Sequence, residues 1–337
     1  MKKVLLSVLF VGAAVALWAA ALPGYHLLNR YKLGGEGGWD YVTFDSTGNR
    51  LFIARATRVM VVDPDTGKLI TEIPDTKGVH GVAIADDLGK GFISDGGDNT
   101  VTVFDLKTLK VMGAKIAVGN GPDAILYDTA SHHVFTFNGR GHDSTVLDAA
   151  TGKVVGTIPL EGKPEFPASD GMGRAWVNLE DKSEIAELDT NKLAVLHHWP
   201  LAPCEAPSGL AFDARNRRLF AGCDNKLMAV VNADSGKVVA TLPVGEGVDA
   251  AGFDPGTGMA FTSNGRSGTL TVVHEDSPDK FTVVENVETV KNARTMTVDP
   301  KTHRIFLVTA DYEPPKNPGE RRQVVAGTFQ LLVVGTK

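Results

Sequence analysis

Short runs of four to six residues rich in Val, Ile, Thr and Phe alternate with polar turns along nearly the whole chain; Val101-Thr102-Val103-Phe104 and Val238-Val239-Ala240-Thr241-Leu242 are typical. Runs of this kind, bounded by Asp, Asn and Gly, read as β-strands. No segment sustains the 3.6-residue apolar period of an amphipathic helix, so helices are expected to be scarce. The turns are periodic. One kind places Asp at positions 45, 86, 128, 170, 213, 254 and 299, at intervals of 41 to 45 residues. A second kind follows each of the first six after 18 to 20 residues, at Asp63, Asp105, Asp148, Asp189, Asn232 and His274. Asp and Asn open such turns because their side chains accept bonds from amides two residues on, and Gly closes them because it tolerates positive φ.

Two turns per repeat leave room for four strands, A to D, with tight A–B and C–D connections. Four antiparallel strands at this period make a propeller blade, so the fold class is all-β, a seven-bladed β-propeller. The seventh repeat has strand A near 294–298, B near 304–309 and C near 329–334, and then stops without a strand D. Residues 25–34 have the pattern of an orphan strand D. Docked on the last blade, they would close the ring and remove open sheet edges.

The strand–turn patterns Phe44-Asp45-Ser46-Thr47-Gly48-Asn49-Arg50-Leu51-Phe52 and Val62-Asp63-Pro64-Asp65-Thr66-Gly67-Lys68 resemble the YVTN-repeat (YncE-like) seven-bladed propellers of bacterial exported proteins. The resemblance covers roughly residues 25–337. It implies the propeller fold and a binding role. The Trp39-Asp40 pair is not a WD40 signature, since it sits where strand A begins rather than where strand C ends.

Composition adds an address. Lys2 and Lys3 precede an apolar stretch, 4–22, broken only by Ser7 and Gly12, and Ala19-Ala20-Ala21 supplies an A-x-A cleavage site. This reads as a secretory signal over residues 1–21, with 22–337 forming one propeller domain and the mature protein periplasmic or secreted. An uncleaved anchor is the alternative, and no second long apolar run exists. Removing the signal takes away two lysines and no acid, moving the formal charge from −6 to −8. That balance argues against nucleic acid as a partner. A monomer is expected. The two cysteines, Cys204 and Cys223, are read as a disulfide, as export permits, with buried free thiols as the alternative.

In a propeller, strand A lines the central channel, and the D–A and B–C connections share one face, here the top. The position five before each A–B turn Asp falls at the top mouth. It reads Asp40, Gly81 (beside His80), Asp123, Glu165, Ser208, Asp249 and Arg294. Converging carboxylates repel unless a cation compensates them. A divalent cation, Ca2+ or Mg2+, held by Asp123, Glu165 and Asp249 with His80 as a nitrogen ligand is one occupant; a sugar or another cationic ligand is a second, and water among solvated acids a third. The B–C loops add Arg55, Asn138, Arg140, His142, Asn264 and Arg266 as candidate ligand contacts, within two similar segments, Asn138-Gly139-Arg140-Gly141-His142 and Asn264-Gly265-Arg266-Ser267-Gly268. The B–C loop of the last blade, 310–323, is the longest and suits a lid or partner surface.

No P-loop, dinucleotide fingerprint, HExxH or structural-zinc spacing occurs, and no catalytic residue is assigned. The sequence therefore reads first as an exported module binding a small ligand or an exported protein through its top face and channel mouth. A metal-dependent lactonase-like hydrolase, as on some similar propellers, is one alternative, although no Asn stands at the corresponding strand-A positions. An accessory protein of an exported redox system is the other.

Overall fold

The computed structural model describes residues 24–314 and 322–336. The expected signal, 1–21, and Pro315 and Arg321 of the long loop lie outside the described residues. The chain forms seven four-stranded antiparallel sheets. The first blade, made of Val42–Asp45, Arg50–Arg55, Arg58–Val62 and Leu69–Ile73 as strands A to D, sets the pattern for the rest. Strands B and C are the most buried because they are covered by neighbouring blades on both faces. Strand D is largely exposed. The one short helix among the described residues is a 3-10 turn, Asp86–Leu88. No helix there is long and apolar enough to cross a membrane.

The last blade closes as the orphan strand requires. His26–Lys32 pairs with Gln330–Gly335, from His26 opposite Gly335 to Lys32 opposite Gln330, and inside it follow Arg304–Thr309 and Thr295–Asp299. The chain's first described strand and its last are thus neighbours in one sheet.

The Asp turns act as stitches within and between blades. Asp128, fully buried, accepts bonds from the amide and hydroxyl of Ser131 at 2.9 and 2.7 Å and from the Ser169 hydroxyl of the next blade at 2.6 Å. Truncation would leave three donors unpaired at a partly buried seam, so Asp128→Ala should lower unfolding free energy by about 2–3 kcal/mol. Urea titration checks this; a loss well under about 1 kcal/mol would mean the stitch contributes little.

One turn differs from expectation. In blade 6, His274 does not open the C–D turn. Strand C runs through it, from Thr269 to Ser277, and the hairpin turns only at Pro278-Asp279, with Ser277 opposite Lys280. An Asp or Asn side-chain oxygen accepts turn donors in blades 1 to 5: Asp63 takes the Asp65 and Thr66 amides, and Asp148 the amide and hydroxyl of Thr151. Imidazole instead pairs with Asp276, 2.7 Å away, and the strand continues.

Cys204 and Cys223 are joined in a disulfide with Cα atoms 5.8 Å apart, tying the entry to strand A of blade 5 to the end of its strand B.

Candidate ligand site at the channel mouth

The mouth is built by a repeated backbone irregularity. The innermost strands of blades 2 to 6 begin at Val79, Pro122, Pro164, Pro207 and Val248. In each, pairing to strand B slips just after that first residue. The slipped segments include His80 and Gly81, Asp123, Glu165, Ser208 and Asp249. A bulge frees a residue from the ladder and re-aims its side chain, here towards the channel axis. Carbonyls at the mouth are held by the neighbouring blade: Ser94 Oγ donates to the Asp123 carbonyl at 2.5 Å, Asn178 Nδ2 to those of Ser208 and Gly209 at 2.9 and 3.0 Å, and Ser263 Oγ to that of Arg294.

Three linked groups of charges result. His80 Nδ1 lies 2.5 Å from Asp40 Oδ2 and 3.4 Å from Asp123 Oδ1. Arg294 pairs with Asp249, lies 3.7 Å from Asp40 and donates to the Trp39 carbonyl at 3.1 Å. Ser208 Oγ supports Asp249, 3.1 Å from Oδ1. Lys163 reaches Glu165 at 2.8 Å and also contacts Glu180. Beneath the charges the channel turns apolar. Tyr41 and Phe166 pack with ring centres 4.4 Å apart. They line a cavity of about 340 Å³ together with Val82, Ile125, Phe253 and Met296.

Burial over this apolar shaft disfavours charge at the mouth. Burial, with Asp40 and Asp249 nearby, pushes Asp123 up to about 6 although His80 opposes it. Burial and the Asp123 charge push Glu165 up to about 8 despite Lys163. Burial also raises Asp249, against the pull of Arg294. Burial alone would lower His80, but the hydrogen bond to Asp40 and the charge of Asp123 raise it overall. The Tyr41 phenol, buried among these acids, is raised well above its ordinary value.

The structure brings Asp40, His80, Asp123, Glu165, Asp249 and Arg294 to the mouth, but not as one metal cage. Asp123, Glu165, Asp249 and His80 do not converge. Among the described residues, the set whose donor atoms lie within 4.8 Å of one another is Asp40, His80 and Asp123, while Lys163 takes Glu165 and Arg294 takes Asp249.

The loop candidates go elsewhere. Arg55 is fully buried; it donates to the carbonyls of Glu36, Gly37 and Gly38 at 3.0, 2.5 and 3.2 Å and lies 3.8 Å over the Phe329 ring. It clamps the segment leading into blade 1, and burial lowers its pKa to about 10. Asn138 and Asn264 are buried and spend their amides on Asp143 and Thr145, and on Thr269 and Thr271, shaping their own hairpins. Arg140 bridges to blade 2 through the Gly96 carbonyl at 2.7 Å, and Arg266 pairs with Asp224 of blade 5. His142 adopts a left-handed turn conformation at φ 56°. Sequence reasoning missed Lys163, Tyr41 and Phe166. Each lies within two residues of a mouth position, so widening the window around the ring would have found them.

The fold and mouth define a seven-bladed β-propeller with a mixed-charge, acid-rich channel entrance. The chain matches no known family and no curated protein. Solved structures share its architecture. A chain of a mitotic checkpoint complex superposes with a TM-score of 0.76 at 12% identity, covering 100% of both chains. The WD40 repeats of RRP9 give 0.73 at 8%, covering 92% of this chain and 97% of that one. A chain of hydrazine synthase from Kuenenia stuttgartiensis gives 0.69 at 15%, covering 81% and 92%. Such identities show the fold alone.

Proposed function

We propose that this chain is an exported propeller of the YVTN-repeat, YncE-like kind that acts as a binding module, taking a cationic ligand at its top channel mouth. The observation that carries the reading is charge: Asp40, Asp123, Glu165 and Asp249 outnumber Lys163 and Arg294 over an apolar shaft, and burial holds Asp123 at about 6 and Glu165 at about 8. A site that raises carboxylate pKa values gains from a cation that replaces the shared protons. An organic ammonium suits it best, with its head among Asp40, Asp123 and Glu165 and its apolar part against Tyr41 and Phe166, whose ring faces also favour a cation. A divalent cation is the second reading, favoured by the convergence of Asp40, His80 and Asp123. One imidazole and two carboxylates are an ordinary mixed N/O donor set. Location outside the cytoplasm rests on residues 1–21.

Calorimetric titration at pH 8 with an n-alkylamine series, and separately with Zn2+ and Mn2+, tests the reading. One molecule should bind per chain, tighter with longer alkyl chains, and Asp123→Asn should weaken it at least about tenfold, the scale of one lost buried charge contact of ~1.4 kcal/mol. Equal binding by wild type and Asp123→Asn, or none by wild type, would sink it.

A further inference from the structure

The repeat provides its own control for a second site, on the bottom face between blades 5 and 6. At the seams on either side, the A–B turn Asp of one blade meets a basic side chain from the next blade, in both cases the residue just before strand B. Asp170 lies 3.5 Å from Arg217, and Asp254 lies 2.8 Å from His303. Between blades 5 and 6, the corresponding Asp is Asp213 and the cation's position is held by Gly258. All three share a left-handed backbone, with φ of 51° at Arg217, 60° at His303 and 68° at Gly258. The seam at Asp213 therefore lacks the side chain found at the two adjacent seams; glycine also precedes strand B at Gly89 and Gly173, but there the facing Asp45 pairs with Arg50 and Asp128 accepts from Ser131 and Ser169.

Blade 6 adds a second acid there. The residue whose amide bonds back to the A–B turn is Leu106, Ala149, Thr190 or Ala233 in blades 2 to 5, all buried. In blade 6 it is Glu275, whose amide makes the same bond to Gly258 at 2.9 Å. Glu275 is 8% exposed, and neither carboxylate oxygen makes a hydrogen bond of good geometry, although the Asp213 and Asn216 side chains lie beside it. Asp213 is 2% exposed and accepts the Arg215 and Asn216 amides at 2.9 Å each. Arg218 is close, but its donors go to Pro278, Asn216, Arg217 and Asp279. Both acids line a cleft of about 310 Å³, with Asn216, His274 and Asp276 on its walls. Burial and the Asp213 charge push Glu275 up to about 7. A buried carboxylate without partners is costly, and an ion is a standard remedy.

We propose that this cleft is a divalent-cation site in which Glu275 and Asp213 bind a Ca2+-like ion in place of the side chain missing at Gly258. Oxygen donors suit a hard cation, and the cleft has room for the waters that complete its shell. The ion would bridge blades 5 and 6 as Arg217 and His303 bridge the adjacent seams.

The test uses the full chain in an Asp123→Asn background, in which cation binding at the mouth is weakened, and at Ca2+ concentrations at which this background without Glu275 shows whatever mouth binding is left. Thermal unfolding is followed with Ca2+ and, in a separate arm, with methylguanidinium. Saturating Ca2+, at about 100 times Kd, should raise the melting temperature by roughly 3–6 °C. Glu275→Ala should abolish the shift and still fold, because Ala149 and Ala233 occupy the equivalent position. Gly258→Arg, matching Arg217 in sequence and backbone, should raise the melting temperature without Ca2+ and remove the Ca2+ response. No Ca2+ shift in the parent, a shift that survives Glu275→Ala, or a shift given by methylguanidinium and not by Ca2+ would overturn the assignment. None of these outcomes bears on amine binding at the mouth, which is measured in the chain with Asp123 intact.

Discussion

A chain lacking residues 24–33 is expected to lose its cooperative fold and aggregate. This segment reaches two cores. Tyr25, 4% exposed, packs edge-on against Phe261 with ring centres 5.4 Å apart, and Leu27 joins the same cluster between blades 6 and 7. Leu28, Tyr31 and Leu33 pack against the cluster between blades 7 and 1. The Tyr31 hydroxyl also donates to the Asp65 carbonyl at 2.6 Å, linking blade 7 to blade 1. At about 1.5–3 kcal/mol for each fully buried apolar side chain, these partly buried residues contribute on the order of 5 kcal/mol. That is a large share of the 5–15 kcal/mol typical of a native protein. Deletion also frees the edge of Gln330–Gly335, a template for pairing with another chain. Size-exclusion chromatography and circular dichroism decide the matter. A monomeric truncated chain melting within about 3 °C of the intact one, roughly 2 kcal/mol, would show that the seventh blade does not depend on its borrowed strand.

The second large effect is an inverted pH dependence. Glu165 titrates at about 8 against an ordinary 4.5, and Asp123 at about 6 against 3.8. Both folded values lie above the unfolded ones, so the folded chain holds protons that the unfolded chain releases. Their contribution is fully present below the unfolded values and is lost as pH rises through the folded ones. His80, also raised, acts in the same direction. The turn aspartates oppose this only in acid: bonds from Thr108 and Thr151 hold Asp105 and Asp148 below their ordinary values, so their contribution disappears as pH falls below about 4. Stability should therefore peak near pH 5 and fall towards pH 8.5. At about 1.4 kcal/mol per unit, discounted for the partial exposure of Glu165 and its coupling to Asp123, Glu165 should account for roughly 2–4 kcal/mol of the fall. Glu165→Gln should flatten the profile between pH 5 and 8 and stabilise the chain at pH 8. Urea titrations across that range check it, and an unchanged slope in Glu165→Gln would show that Glu165 is not held protonated.

Local features predicted well because a propeller blade is a local object. Phe212-Asp213 and Phe253-Asp254 mark A–B turns wherever they occur, since the Asp caps its own turn before any other blade is present. Counting back five residues then locates Asp123, Glu165 and Asp249 at the mouth, because each blade repeats the same path. His274 failed as a turn marker because imidazole does not cap amides as a carboxylate does, and the strand ran on. Arg55 and Asn138 look like exposed binding residues in a loop. They are buried because carbonyls of the segment entering blade 1 and threonines of the same hairpin surround them.

By itself the sequence determined the repeat, its turn chemistry, the missing outer strand of the last blade and which residue types ring the channel, all consequences of short-range propensity repeated seven times. Only the tertiary structure decided who pairs with whom. Ring closure set Arg294 against Asp249 and left Asp40, His80 and Asp123 together. It also put Glu275 opposite Asp213 with no cation between them. These pairings join residues from different blades, and their energies depend on burial and distance across a seam, which no single repeat encodes.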